Sequence, residues 1–168
     1  IELPPLRPSL HGAGHEREYL CNLPSGPFLS NAGYHAWTDG SVRTSCKHAG
    51  AGVWFRTDDW LPAIAPISRS IGGEPVIIRG EMGAIILALR ALPEDRAATI
   101  YTDSLSTLWI VRRWLRRDFG FCLDEEGHAD LVLELVKELH RRRGVQTDLV
   151  WVPAHAGEPG NEVADVRA

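Results

Sequence analysis

The chain has 168 residues, 44% of them hydrophobic and 24% charged, with a formal net charge of −4 at pH 7. That length holds one domain with a sizeable core, and the composition is that of a globular protein. No apolar run approaches the ~20 residues of a membrane span, and the acidic balance excludes a surface that coats nucleic acid throughout, though not a local basic stripe beside an acidic pocket.

Residues 1–33 carry Pro4, Pro5, Pro8, Pro24 and Pro27 with several glycines and no sustained periodicity. They predict a linker or tail ahead of a domain over 34–168. From Tyr34 the pattern changes. "YHAWTD" (34–39) reads as a strand, "GSVRTSCKHAG" as a turn and "AGVWF" (51–55) as a second strand. "AIAPISRSI" (63–71) is a third, which Pro66 confines to a sheet edge. "GEMGAIILALRAL" (80–92) is helical and ends at Pro93. "ATIYTD" (98–103) is the next strand, followed by a helix over 104–117 that Ser104 is suited to cap. In 129–144, Leu131, Val132, Leu135, Val136 and Leu139 share a helix face, with Gly144 as the stop. "TDLVWV" (147–152) is a strand closed by Pro153; a loop "AHAGEPGN" and a last helix beginning "EVADVRA" follow.

Three strands able to form a meander, then strands alternating with helices, predict an α/β fold. Its five-stranded mixed sheet has a parallel portion and helices on both faces. Sites in such sheets form beyond the carboxyl ends of the parallel strands. Asp39 and Asp103 stand at two such ends, each in a Thr-Asp-small context. Cys21, Cys46 and Cys122 are odd in number and never paired as C-x-x-C, which reads as reduced thiols of an intracellular protein, nuclear or cytoplasmic.

Two further acids stand out. Glu81 opens the helix over 80–92, and Asp165 lies four residues after Asn161. Taken singly, Glu81 answers a helix dipole, Asp103 caps a helix and Asp39 sits in a turn. Taken together, four acids around one sheet edge repel one another unless a cation lies between them. Oxygen ligands without thiols or clustered imidazoles favour Mg²⁺ or Mn²⁺ over zinc. Two such ions ~4 Å apart suit in-line attack on a phosphodiester.

Asp39 in "TDGS", Glu81 at a helix start, Asp103 in "YTDS" and the segment "VPAHAGEPGNEVAD" resemble type 1 ribonuclease H, from about Tyr34 onward. The last motif, with His155 ten residues before Asp165, is the specific one. The resemblance implies a ribonuclease H-like fold and hydrolysis of the RNA strand of RNA–DNA hybrids. It implies Asp39, Glu81, Asp103 and Asp165 as ligands of two Mg²⁺ ions, with Mn²⁺ as a substitute. It also implies that His155, on a mobile loop, moves protons or releases product; an imidazole has a suitable pKa for that near neutrality. Glu162 is a second candidate near the metals.

The helix after Asp103 carries Arg112, Arg113, Arg116 and Arg117 on one face, with Trp109 and Trp114 among them and no acid over 104–117. A basic face with aromatics grips a phosphate backbone, whereas the bland reading is a solvated arginine face over core tryptophans. The family holds the DNA strand near this helix, so Arg112, Arg113, Arg116, Trp109 and Asn161 are the expected nucleic-acid contacts. The family's polar residues before the helix glutamate are absent: Val76, Ile77 and Ile78 stand there. That apolar run favours an alternative, an inactive module of the same fold that binds nucleic acid or protein. Ile1 in place of a start methionine, the proline-rich lead-in and the acidic stretch over 118–130 fit a domain from a retroelement polyprotein. Its reverse-transcriptase domain would then be a partner.

Overall fold

A computed structural model describes residues 6–12, 15–21, 33–43, 47–56, 61–115 and 128–152. Its elements in chain order are β1 (Leu6–Gly12), β2 (His15–Cys21), β3 (Tyr34–Arg43), β4 (His48–Arg56), β5 (Ile67–Ile71), α1 (Ile77–Ala91), β6 (Ala98–Thr102), α2 (Leu105–Leu115), α3 (Ala129–Arg141) and β7 (Thr147–Trp151). The sheet runs β1-β2-β7-β6-β3-β4-β5. Strands β3, β6 and β7 are parallel neighbours, while β3–β4 and β4–β5 are antiparallel. These five strands are the predicted mixed α/β sheet; the three described helices all pack on one of its faces, where helices on both were expected.

Alternation along the strands sorts their side chains between two faces. Tyr34 and Ala36 of β3, Val53 and Phe55 of β4, Ile100 of β6 and Leu149 of β7 join one core cluster. Against them lie Ile85 and Leu89 of α1, Leu108 and Val111 of α2, and Leu135 and Leu139 of α3. Helix α1 is buried nearly all round, from Arg79 to Leu89, as its apolar composition requires of a helix wedged between sheet and neighbours. On the opposite face Trp37, Tyr101, Val150 and Val152 form a separate cluster, with Trp37 stacked on Tyr101 at 4.5 Å between ring centroids. The last predicted helix lies outside the described residues.

Two expectations change. Strands β3 and β4 run further into the "GSVRTSCKHAG" segment than a turn reading allows, with Gly40 opposite Ala51 and Arg43 opposite His48. Small residues of low strand propensity extend there because an antiparallel partner supplies the ladder. The second change is larger. Residues 1–33 were expected to hold no element, yet β1 and β2 pair as a hairpin and β2 pairs antiparallel with β7. Polar strands held through backbone hydrogen bonds leave no hydrophobic alternation to detect, and Pro8 falls at the register irregularity between Arg7 and Leu10. Pro66 behaves as predicted: β5 begins just after it, at the far edge of the sheet.

Candidate metal centre

Parallel pairing sets Thr38 of β3 beside Thr102 of β6, so the next residues, Asp39 and Asp103, emerge side by side where that pairing stops. Only Asp103 follows a strand end: Asp39, expected at one, lies within β3, because that strand runs on to Arg43 against β4. The Thr38 hydroxyl donates to the Tyr101 carbonyl at 3.0 Å and ties the two strands just before the acids. Asp39 turns one oxygen toward its neighbour's backbone, accepting from the Gly40 N–H at 2.8 Å. The indole N–H of Trp151 donates to the Asp103 carbonyl at 3.3 Å. Ser104 then caps α2, its hydroxyl accepting from the Thr107 N–H at 3.3 Å, so that chain direction changes immediately after Asp103.

Glu81 reaches the same place from the helix layer, and glycines make that possible. A Cβ on Gly80 would stand 2.5 Å from the Gly50 carbonyl oxygen, and one on Gly40 would stand 2.4 Å from the Glu81 nitrogen. Without side chains at these positions, the first turn of α1 rests on the backbones of β3 and β4. Asp39, Glu81 and Asp103 each then offer a carboxylate oxygen within 4.8 Å of the others.

Asp39 and Glu81 are buried and Asp103 is half-buried. Burial pushes the Glu81 carboxyl up to about 10, and the charges of Asp103 and Asp39 push the same way. Its Oε2 is buried without a hydrogen-bond partner. A buried orphan oxygen facing two more carboxylates fits a divalent cation, whose charge would reverse that upward shift. The donor set is all oxygen, which suits a hard ion.

A model of the RNase H family matches residues 31–168. The chain belongs to the RNase H family. Curated relatives include a Ribonuclease H of Methylobacillus flagellatus, 33% identical over 138 residues that cover 74% of this chain and 83% of the relative. A Ribonuclease H of Bordetella pertussis is also 33% identical, covering 79% and 84%. A Ribonuclease H of Cupriavidus necator is 35% identical over 134 residues, covering 74% and 87%. The β1–β2 hairpin lies outside the span matched by the RNase H model.

RNase H enzymes depend on divalent metal, and three of the four expected carboxylates stand together here. Asp165, the fourth, lies outside the described residues, as do His155, Asn161, Glu162 and Arg116. Arg112 and Arg113 are on α2, though their side chains are not among those described. Trp109, on the same helix, is 45% exposed, which argues against a core tryptophan at that position. Ile77, the first residue of α1, is exposed, whereas Ile78 packs against the Met82, Ile110 and Val132 cluster. Sequence reading missed Arg79, a buried cation in the first turn of α1 that forms a two-pronged ion pair with Asp130. No signal in the sequence marked it: the helix was expected to begin at Gly80, and Asp130 lies 51 residues further along the chain.

Proposed function

We propose that this chain cleaves the RNA strand of RNA–DNA hybrids at the Asp39–Glu81–Asp103 centre, with Asp165 as a fourth ligand. The observation that carries this reading is the convergence of three carboxylates, two of them buried, within 4.8 Å, with one buried oxygen left unpartnered. Two Mg²⁺ ions, or Mn²⁺ in their place, are the proposed occupants. When bound, they activate water for in-line attack on the scissile phosphate and stabilise the oxygen that leaves.

The chain's own residues do the rest. Glu81 must release its proton before its oxygens can serve as ligands. Strands β3 and β6 fix Asp39 and Asp103 at one depth, so the scissile phosphate is placed relative to rigid backbone. Arg112 and Arg113 of α2, with Trp109 on the same helix and Arg116 after it in the chain, are the proposed grip on the DNA strand; Asn161 is a proposed contact from the C-terminal segment. His155 is proposed to carry a proton to or from the reacting oxygens. The intact carboxylate cluster disfavours the inactive-module alternative, because buried like charges without a metal to hold are costly to keep. A reverse-transcriptase domain of the same polyprotein is the proposed partner; the acidic stretch 118–130 and the apolar run Val76, Ile77 and Ile78 in the sequence support it.

One gel tests the reading. A labelled RNA–DNA hybrid, single-stranded RNA and duplex DNA are each incubated with the protein in Mg²⁺ and in chelator. Cleavage confined to the hybrid's RNA and to the Mg²⁺ lanes is expected; an uncut hybrid at saturating Mg²⁺ would overturn it.

A further inference from the structure

Helix α1 delivers Glu81, yet its start lacks the usual anchors. Val76 occupies the N-cap with no side-chain hydrogen bond, and the first turn holds no acid. Arg79 sits there instead. Its Nε donates to the Gly72 carbonyl at 3.0 Å, and its Nη1 and Nη2 donate to the two Asp130 oxygens at 3.0 and 2.7 Å. His128 Nδ1 lies 3.3 Å from the same Nη1. One guanidinium thus joins the β5–α1 connection, the first turn of α1 and the start of α3. The space for it is made by Gly73, at φ +95°, where a Cβ would fall 2.6 Å from Arg79 Nε.

We infer that Arg79, held by Asp130, is a positioning residue that fixes Glu81 in the metal centre. The inference rests on the reading of that centre given under the proposed function. Two residues apart on a helix, the Arg79 and Glu81 side chains leave the axis roughly 200° from each other. Glu81 faces the strand ends, while Arg79 is pinned to α3. The Gly40–Gly50–Gly80 contact stops α1 from sinking into the sheet, and the Arg79 fork stops it from rolling about its own axis. Rolling would swing the Glu81 carboxylate away from Asp39 and Asp103. The Arg79 side chain is 7% exposed and that of Asp130 is 60%, so Asp130 can be changed from the surface without opening the core.

The test uses the full chain and Mn²⁺ alone as the calorimetric probe. Partners that orient metal ligands are worth about 10–100-fold in affinity when lost. Arg79→Met, which keeps the aliphatic stem, should weaken Mn²⁺ binding by about tenfold or more. It should also lower kcat on the hybrid while KM stays within about twofold, the pattern of a lost transition-state contribution rather than lost substrate grip. Arg79→Lys and Asp130→Asn keep a polar group at each position but break the fork, so each should weaken Mn²⁺ binding by several-fold at unchanged circular dichroism. Wild-type Mn²⁺ affinity in folded Arg79→Met, or in both milder variants where Arg79→Met does not fold, overturns the positioning role while hybrid cleavage still stands. Tight Mn²⁺ binding by the wild type without hybrid cleavage overturns the proposed function instead, and a drop in affinity in the variants would still support the positioning role.

Discussion

Asp39, Glu81 and Asp103 trade stability for affinity, and the trade can be measured one residue at a time. Asp39→Asn or Asp103→Asn should abolish hybrid cleavage and leave the metal-free fold as stable as before or slightly more so, since each removes a like charge from the cluster. His155→Ala should do less, slowing turnover by the ~10²–10⁴-fold that general acid–base help supplies, with Mn²⁺ affinity unchanged. Calorimetry and single-turnover rates on both variants check the order; loss of metal in His155→Ala would make that loop part of the ligand set. Glu81 adds a pH signature. Its folded value, about 10, lies above the ordinary 4.5, so the metal-free folded protein keeps a proton that the unfolded chain has released. This contribution to stability is therefore full below pH 4.5 and is lost as pH rises toward 10. Urea midpoints in chelator from pH 5 to 9 should fall accordingly, and Glu81→Gln should flatten the trend. Mn²⁺ affinity should climb over the same range, because ligation requires the carboxylate.

The elements carry the site by how closely they approach. Gly80→Ala places a methyl group against the Gly50 carbonyl, where only backbone can yield. Overpacking of this kind costs about 1–3 kcal/mol, and here it should also push Glu81 out of the cluster. A lowered thermal midpoint together with weakened Mn²⁺ binding is expected; a lowered midpoint alone would mean that α1 tolerates the shift. The arginines of α2, with Arg116 after it in the chain, offer a separate test. Replacing Arg112, Arg113 and Arg116 by alanine should weaken hybrid binding and flatten its dependence on salt, each lost phosphate contact removing roughly 0.7–0.9 from the slope of log affinity against log salt. An unchanged slope would return those arginines to a solvated face. What the sequence disclosed at this scale follows from the same physics. Asp103 was legible because an acid ending an apolar strand is conspicuous, Asp39 because it interrupts one in the same Thr-Asp-small context, and Glu81 because it interrupts an apolar helix. Arg79 was not, since its partner Asp130 is distant in sequence and only the packing of α3 on α1 brings them together. The β1–β2 hairpin was hidden for a related reason. Backbone pairing with β7 leaves no trace in hydrophobic periodicity.

For the molecule as a whole, the hairpin poses the main question of organisation. The family match begins at residue 31, and the carboxylates are carried by β3, α1 and the end of β6. A chain starting at residue 31 should therefore keep Mn²⁺ binding and hybrid cleavage within a few-fold, with a lower thermal midpoint because the β7 edge loses its partner strand. Calorimetry and the hybrid gel check this; an unfolded or metal-blind product would make the hairpin part of the domain proper. Arg142 marks the opposite end of the fold. It is fully buried, and its guanidinium donates to the Arg96 carbonyl at 2.7 Å and to the Thr147 hydroxyl at 3.1 Å, locking α3 to the loop before β6 far along the chain from the metal centre. Burial lowers its pKa to about 10, which leaves it a cation at neutral pH.

The register of β2 on β7, with Tyr19 beside Val150 and Cys21 beside Asp148, also dictates a timetable. During synthesis the hairpin leaves the ribosome long before the strand it must join has been made. Until β7 arrives, β2 presents an unsatisfied row of peptide groups, the kind of surface on which nascent chains stick to one another. The residues spent on that waiting period are visible in its composition: His15, Glu16, Arg17 and Glu18 in β2, with Arg7 and Pro8 in β1. Closely spaced charges of both signs and a proline act as gatekeepers against premature pairing. The polarity that concealed the hairpin from hydrophobic periodicity is thus also what guards its open edge while the partner strand is still unmade.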